Sequence, residues 1–277
     1  MQNTHPFLPE DLYAVIGWPL SHSLSPFIHT IGFQTLGIPA VYMKFAIEES
    51  SLASFMTSVR TLPIKGLSVT IPHKRAIIQY LDEMTEEVQR IGACNTLFWK
   101  GQTLCGDNTD YTGFLAPIAT LPLSSLRVLL LGAGGAARAA LCALTTKGVK
   151  DLMLATPSNT RHIALAQEFQ VGTLSWEERM NYSCDLLINA TPLGMKNAHE
   201  NETPYDFSRA KNIPQYAYDI VYTPLETRFL REARSHGVET CISGEEMFFE
   251  QGSAQFQLWT GKSLPYEAKE ALHRALR

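Results

Sequence analysis

The chain has 277 residues, 45 % hydrophobic and 18 % charged, which is too apolar for a disordered protein and long enough for two cores. Its 27 acidic and 23 basic side chains leave a formal charge of −4, so charge balance gives no reason to expect a nucleic-acid partner. No apolar run approaches the ~18 residues of a membrane span, which argues against a membrane partner.

The stretch before Tyr13 is polar and broken by Pro6 and Pro9, unlike an export leader. Five scattered cysteines without a CxxC pair read as reduced thiols, and the expected location is the cytoplasm. The eight histidines contain no HExxH, and no metal is expected.

Short apolar runs alternate with amphipathic stretches along the chain, the pattern of an α/β protein. A strand over 13–16 ends at Gly17, and Ser25 before Pro26 reads as a helix N-cap with Gly37 as the stop. A strand over 41–45 follows. Leu52, Phe55, Met56 and Val59 then fall at helical spacing. A strand over 67–70 leads to Pro72, where a new helix can begin. Strands over 97–99 and 103–105 flank Lys100-Gly101-Gln102 as a hairpin. The run 126–131 is continuously apolar, as a central parallel strand should be, and an alanine-rich helix extends from the glycines after it to about Thr146. Further strands are expected over 152–155, 185–189 and 216–220, and helices over 161–169 and 225–235. From about Glu245 the chain reads as helical apart from 261–265.

Gly132, Gly134 and Ala137 match G-x-G-x-x-G/A between a strand and a helix. The first glycine permits the turn, the second lets backbone approach a pyrophosphate, and the helix start offers free amides to phosphate oxygens. The first half of the chain supplies a different signal. Ser21-His22-Ser23-Leu24-Ser25, Thr70-Ile71-Pro72-His73-Lys74 and Gly106-Asp107-Asn108-Thr109-Asp110 are dense polar loops, and Asn95 stands beside another apolar segment. If these strand ends converge they form a cleft of hydroxyls, an amide, an ammonium and a carboxylate. Taken singly, the plainer account is that Ser25 caps a helix and that Lys74 and Asp110 are solvated charges.

Taken together, the strings resemble shikimate dehydrogenases over most of the chain. The matching pieces are Gly17-Trp18-Pro19-Leu20-Ser21-His22-Ser23-Leu24-Ser25-Pro26 with His29, Val69-Thr70-Ile71-Pro72-His73-Lys74, Gly92-Ala93-Cys94-Asn95-Thr96 and Gly106-Asp107-Asn108-Thr109-Asp110. Gly132-Ala133-Gly134-Gly135-Ala136, Asn189-Ala190-Thr191-Pro192-Leu193-Gly194-Met195, Tyr218-Asp219, Pro224-Leu225-Glu226-Thr227, and Gly244 with Met247 and Gln251 complete the series.

The resemblance implies an N-terminal α/β substrate domain over 1–112, a Rossmann-like dinucleotide-binding domain over 113–243, and C-terminal helices over 244–277 that return to the first domain. It implies reduction of 3-dehydroshikimate to shikimate with NADPH, the small molecule being the partner, in a monomer or homodimer. Lys74 and Asp110 correspond to the family's catalytic pair. Ser23, Ser25 and Tyr222 correspond to its carboxylate anchors, and Thr70, Asn95 and Gln251 to contacts on the ring hydroxyls. The cofactor would meet Gly132, Gly134, Gly135, Ala136, Thr156, Ser158, Arg161, Thr191, Gly244 and Met247.

Two positions depart from the family pattern. Ser68 stands where an asparagine is usual, with shorter reach and one donor fewer, so that a water fills the gap or a related substrate is preferred. Thr156-Pro157-Ser158 stands where many relatives carry Asn-Arg-Thr, so the arginine that clasps the phosphate of NADP is missing. Arg161 is the first substitute for it and Arg138 a weaker one. NADP is expected, with NAD as the alternative. Competing functions are a quinate/shikimate or aminoshikimate dehydrogenase and, more remotely, a non-catalytic metabolite-binding protein.

Overall fold

A strand apolar on both faces needs cover on both sides, and the chain builds two sheets that receive it. The computed structural model describes residues 8–20, 23–196 and 199–277, with backbone alone for Arg161. Ser21 and His22 lie outside the described residues. The first elements are β1 (Asp11–Gly17), α1 (Ser25–Thr35), β2 (Ala40–Ala46), α2 (Leu52–Val59), β3 (Ile64–Val69), β4 (Glu83–Met84), α3 (Glu86–Ile91), β5 (Thr96–Lys100) and β6 (Thr103–Asp107). They are followed by α4 (Asp110–Leu115), β7 (Arg127–Leu131), α5 (Gly135–Thr146), β8 (Asp151–Ala155), α6 (Arg161–Phe169), β9 (Gly172–Thr173) and β10 (Leu186–Asn189). The last are β11 (Tyr216–Asp219), α7 (Arg228–Ser235), β12 (Thr240–Ile242), α8 (Gly244–Thr260) and α9 (Tyr266–Leu276).

One compact unit comprises Met1–Thr109 with Gly252–Leu272, the other Asp110–Gln251 with His273–Arg277. Helix α8 thus starts in one unit and ends in the other. The first sheet runs β2-β1-β3-β5-β6-β4. Strands β2, β1 and β3 are parallel, and β5 is antiparallel to both β3 and β6. Ala14 and Ile16 face a core with Leu52, Met56 and Val59 of α2. On the other face Tyr13 meets Phe33 of α1 at 5.1 Å and Trp259 of α8 at 5.2 Å between ring centroids. His29 is wholly buried between Tyr42 and Phe256, and burial lowers its pKa to about 3, so the ring is neutral.

The second sheet, β12-β11-β10-β7-β8-β9, is parallel throughout. Val128, Leu130, Leu186 and Ile188 pack on one side against α5 and α6, and Leu129, Leu131, Leu187 and Ala217 on the other against α7. That alternation accounts for the unbroken apolar run over 128–131. All five cysteines are free thiols, four of them buried.

Three local expectations change. Ser25 is the first helical residue rather than the cap. Leu24 holds the cap position without a side-chain bond, and its carbonyl accepts from Phe27 and Ile28 at 3.0 and 3.2 Å. No α-helix begins at Pro72; turns over 71–75 lead instead into a 3-10 helix, Ala76–Tyr80. Helix α7 starts at Arg228, later than 225, because Thr227 caps it by accepting from the Leu230 N–H at 3.3 Å.

The same Thr227 hydroxyl donates to Asp219 at 2.6 Å, and Asp219 also accepts from Asn189 Nδ2 at 2.9 Å and the Val221 N–H at 3.0 Å. Burial raises the Asp219 pKa to about 7 despite these three bonds, which pull it down. An unfolded chain ionises this carboxyl near ~4, so folding is favoured at low pH and loses that advantage as pH rises through about 7. Across pH 5 to 8, the wild type should lose on the order of 2–3 kcal/mol relative to Asp219→Asn. Denaturation curves at each pH check this; parallel losses in both proteins would mean the carboxyl is ionised throughout.

Candidate functional site

Register brings the polar loops of the first unit to one rim of its sheet. Ser68 lies opposite Thr96, Thr96 opposite Asp107, and Ile16 level with Val69. Strands β1, β3 and β6 therefore end, and β5 begins, at a common edge that carries Gly17, Thr70, Asn95 and Asn108.

The loop with Lys74 is clamped along its backbone. Thr70 N–H donates to the Ile16 carbonyl at 2.9 Å, the Ile71 carbonyl accepts from Trp18 at 2.9 Å, and the Lys74 carbonyl accepts from Cys94 at 2.7 Å. Wholly buried His73 adds a bond from Nε2 to the Ile47 carbonyl at 2.6 Å. A carbonyl only accepts, so Nε2 carries the proton. Lys74 itself is half-buried.

Asn95 is buried to 1 % exposure, and its Oδ1 accepts from the Thr96 hydroxyl at 2.7 Å and the Thr109 N–H at 2.8 Å. Its Nδ2 donates to Thr109 Oγ1 at 3.0 Å. A backbone N–H can only donate, which settles which end of the amide is oxygen. The Ser68 hydroxyl accepts from Tyr42 and donates to Gln255 Oε1, each at 2.6 Å. Its proton is thus taken up by an amide from α8. Ser25 is buried at the start of α1, and Ser23 is half-buried just before it.

In the second unit Asp110 opens α4 at 6 % exposure. Half-buried Tyr222 stacks on Phe248 at 4.4 Å, and Gln251 Nε2 donates to the Phe248 carbonyl at 2.8 Å.

Strand order in the second sheet reverses at β7, which lies between β8 and β10. Ligands of open α/β sheets bind beyond the carboxyl ends of the strands at such a reversal. Gly132 leaves β7 there with φ +119°, and a Cβ on it would lie 2.6 Å from the carbonyl of Ala190, just after β10. Gly134 differs. Its φ of −84° suits any residue, a Cβ would meet nothing within 4 Å, and the residue is exposed. No packing among the described residues asks for glycine at 134, whereas a ligand seated on the first turn of α5 at Gly135 and Ala136 would. The residues present fit a dinucleotide pyrophosphate.

Around this turn, Thr191 donates through both N–H and hydroxyl to Asn189 Oδ1, at 2.9 and 2.6 Å. Buried Thr156 Oγ1 is 2.8 Å from His162 Nδ1 and 3.4 Å from the Oγ of exposed Ser158. Arg161 opens α6, and its side chain lies outside the described residues. A Cβ on Gly244 would strike the Ile220 carbonyl, and Met247 packs in the core beside α5, so both have packing roles within the unit. Arg138, the weaker substitute for the missing cation, already has a partner. Its guanidinium is ion-paired with Glu168 and lies 5.5 Å from the centre of the Phe169 ring.

Residues 15–97 match the model of the shikimate dehydrogenase substrate binding domain, and 244–271 that of the shikimate 5'-dehydrogenase C-terminal domain. A shikimate dehydrogenase (NADP(+)) of Pelobacter propionicus is 47 % identical over 274 residues, covering 98 % of this chain and 99 % of that protein. The chain belongs to the shikimate dehydrogenase family. Among solved structures, the shikimate 5-dehydrogenase of Thermus thermophilus in complex with NADP(H) and shikimate is 34 % identical, with a TM-score of 0.84. The match covers 96 % of this chain and 100 % of that one. The Listeria monocytogenes shikimate 5-dehydrogenase with shikimate and NAD is 26 % identical, TM-score 0.84, covering 100 % and 99 %.

Within this family member, Tyr42 and Gln255 are polar neighbours of the rim that sequence reading missed, and Thr96 and Thr109 stand in the quoted strings without a role of their own. For Gln255 a signal existed: it follows Gln251 by four residues on one helix. The two glycines of the turn make a sharp comparison. Gly132→Ala should destabilise the fold by roughly 1–3 kcal/mol through strain and collision. Gly134→Ala should keep the wild-type melting temperature while weakening NADP binding about tenfold or more, the loss of a bond or two to a charged group. Thermal melts with cofactor titration separate the two; full NADP affinity in Gly134→Ala would remove this turn from the cofactor site.

Proposed function

We propose that this chain reduces 3-dehydroshikimate reversibly to shikimate with NADPH, in the cytoplasm. The observation that carries the reading is a clamped, polar sheet rim with Lys74 and Asn95 in one unit and an unpacked Gly134 at a sheet reversal in the other. Near-full-length likeness to NADP-dependent shikimate dehydrogenases supports it. No helix among the described residues is long and apolar enough to cross a membrane, and the free cysteines support a reducing compartment.

When bound, NADPH supplies the hydride. The protein's task is alignment and handling of charge. Negative charge develops on the substrate's carbonyl oxygen, and the Lys74 ammonium stabilises it electrostatically and then donates the proton. Asp110 orients that lysine and a substrate hydroxyl. Ser23, Ser25 and Tyr222 hold the carboxylate, while Thr70, Asn95 and Gln251 bind ring hydroxyls. The hydrogen bonds that fix the Lys74 backbone before substrate arrives set the point from which its side chain extends, which is where preorganisation contributes. Spectrophotometric oxidation of shikimate and quinate with NADP and NAD tests the reading, and absence of shikimate turnover would overturn it. In Lys74→Ala, kcat should fall by about 10²–10⁴ while NADP affinity is retained. Wild-type turnover in the folded variant would remove Lys74 from the chemistry.

NADP is favoured over NAD because no carboxylate occurs in Thr156-Pro157-Ser158 to repel a ribose phosphate. Thr156 and Ser158 supply hydroxyls, but proline replaces the bidentate cation of many relatives, and Arg138 is engaged by Glu168. Arg161 is left as the compensating charge at the start of α6. The NADP preference should therefore shrink in Arg161→Ala and as salt screens the contact. Ratios of kcat/KM for the two cofactors check this; a wild-type preference for NAD would reverse the assignment.

A further inference from the structure

Gln255 lies on α8, one turn beyond Gln251, at 1 % exposure. Its side chain meets three residues from the far end of the sequence. Oε1 accepts the Ser68 hydroxyl at 2.6 Å, and Nε2 donates to Thr96 Oγ1 at 3.0 Å and to the Asn95 carbonyl at 3.2 Å. The Asn95 carbonyl can only accept, so the atom facing it must be Nε2, and the amide has one allowed orientation. Direction then passes along the chain of bonds. Tyr42 donates to Ser68, Ser68 to Gln255, Gln255 to Thr96, and Thr96 to Asn95 Oδ1 at 2.7 Å.

Asn95 is therefore held from α8 at two points. Its backbone carbonyl takes bonds from both Gln255 Nε2 and the Val69 N–H, the latter at 2.7 Å, which uses both lone pairs. Its side-chain oxygen is held through the Thr96 hydroxyl, which donates to Asn95 Oδ1 because an amide oxygen only accepts, while the hydroxyl oxygen itself accepts from Gln255. Thr109, fixed by the same oxygen, immediately precedes Asp110 in the chain. Gln255 is set back from the rim, in the buried layer that decides where the Asn95 amide stands.

We propose that Gln255 is a positioning residue of the substrate site, holding the Asn95 amide in place from helix α8. The inference rests on the functional reading above, in which Asn95 binds a substrate hydroxyl. Gln255→Met keeps the length of the side chain and removes its hydrogen bonds. It leaves the Asn95 carbonyl with one donor and the Thr96 oxygen without the donor that holds it from α8. A misplaced hydroxyl-binding amide weakens binding of ground state and transition state alike, so KM and Kd for shikimate rise while kcat changes little.

Trp259→Phe is the structural control. It sits one turn further along α8, and its indole donates to the Leu97 carbonyl at 2.9 Å, tying the same helix to the same strand without touching Asn95. Both variants should melt below wild type. In Gln255→Met, KM and Kd for shikimate should rise about tenfold, with kcat within a factor of two or three and NADP affinity unchanged. In Trp259→Phe all four quantities should stay at wild-type values. Steady-state kinetics, shikimate calorimetry and thermal melts on the full chain give the readouts. Unchanged shikimate affinity in Gln255→Met, or an equal rise in both variants, overturns the proposal while leaving the dehydrogenase reading intact. A wild-type protein without shikimate turnover overturns the reading and the proposal together.

Discussion

Strands β3 and β5 meet antiparallel, with Ser68 opposite Thr96 and the Val69 N–H on the Asn95 carbonyl at 2.7 Å. In a wholly parallel sheet, successive strands end at one edge and only the loops after them reach it. Reversing β5 brings the start of a strand to the edge where β1, β3 and β6 end. Residues far apart in sequence, Thr70, Asn95 and Thr109, thereby share a rim without any long loop. The segment after Val69 takes its shape from the same junction, since Cys94, next to Asn95, donates to the Lys74 carbonyl. Backbone hydrogen bonds place the ammonium-bearing residue and the amide relative to each other, so the local geometry rests on bonds that side-chain substitutions leave standing.

The second unit meets a related problem by other means. Its sheet stays parallel, and the crevice arises where the chain turns from one side of β7 to the other. Two strand ends must approach closely there, and only a residue without Cβ at 132 permits it. Asn189, at the end of β10, ties this crevice to the next strand. It receives both donors of Thr191 and gives its own to Asp219, which in turn takes the cap residue of α7. A buried carboxyl is costly to ionise, so the bonds around Asp219 are a place where proton uptake and loop geometry are coupled.

Legibility in the sequence followed the length and burial of each element. The run 126–131 and the helix over 161–169 emerge within a residue of their structural bounds, because central strands and amphipathic helices repeat their pattern over enough residues to show. Helices α3 and α4 have six residues each, and β4 and β9 two, too few for a period to register. The glycine turn and the polar loops were visible because their residue types are unusual together. Ser25 beside Pro26 misled, since a cap and a first helical residue look alike when the deciding carbonyl belongs to Leu24. For Arg138 the sequence conceals the ion-pair partner, since Glu168 stands 30 positions away on another helix. Gln255 shows the same limit most clearly, as its partners lie 159 to 187 positions upstream.

The energetics of Gln255 point to geometry rather than stability as its contribution. Removing an amide from water costs several kcal/mol, and each hydrogen bond regained inside nets roughly 0.5–1.5 kcal/mol over the bond water had offered. Three bonds roughly offset the burial of the amide itself, and an apolar residue of the same shape loses stability mainly through the Ser68 and Thr96 hydroxyls it leaves without a partner. What an apolar residue cannot do is impose a direction on Ser68 and Thr96. A hydroxyl rotor accepts or donates with equal ease, and two of them beside Asn95 would leave its oxygen with several competing arrangements. The fixed acceptor and donor ends of one amide remove that freedom. Supplying the amide from α8, which begins in the cofactor-type unit and ends in the other, also makes the same helix carry Gln251 and the support for Asn95. The short side chain at Ser68 belongs to this arrangement, since its hydroxyl meets Gln255 Oε1 at 2.6 Å.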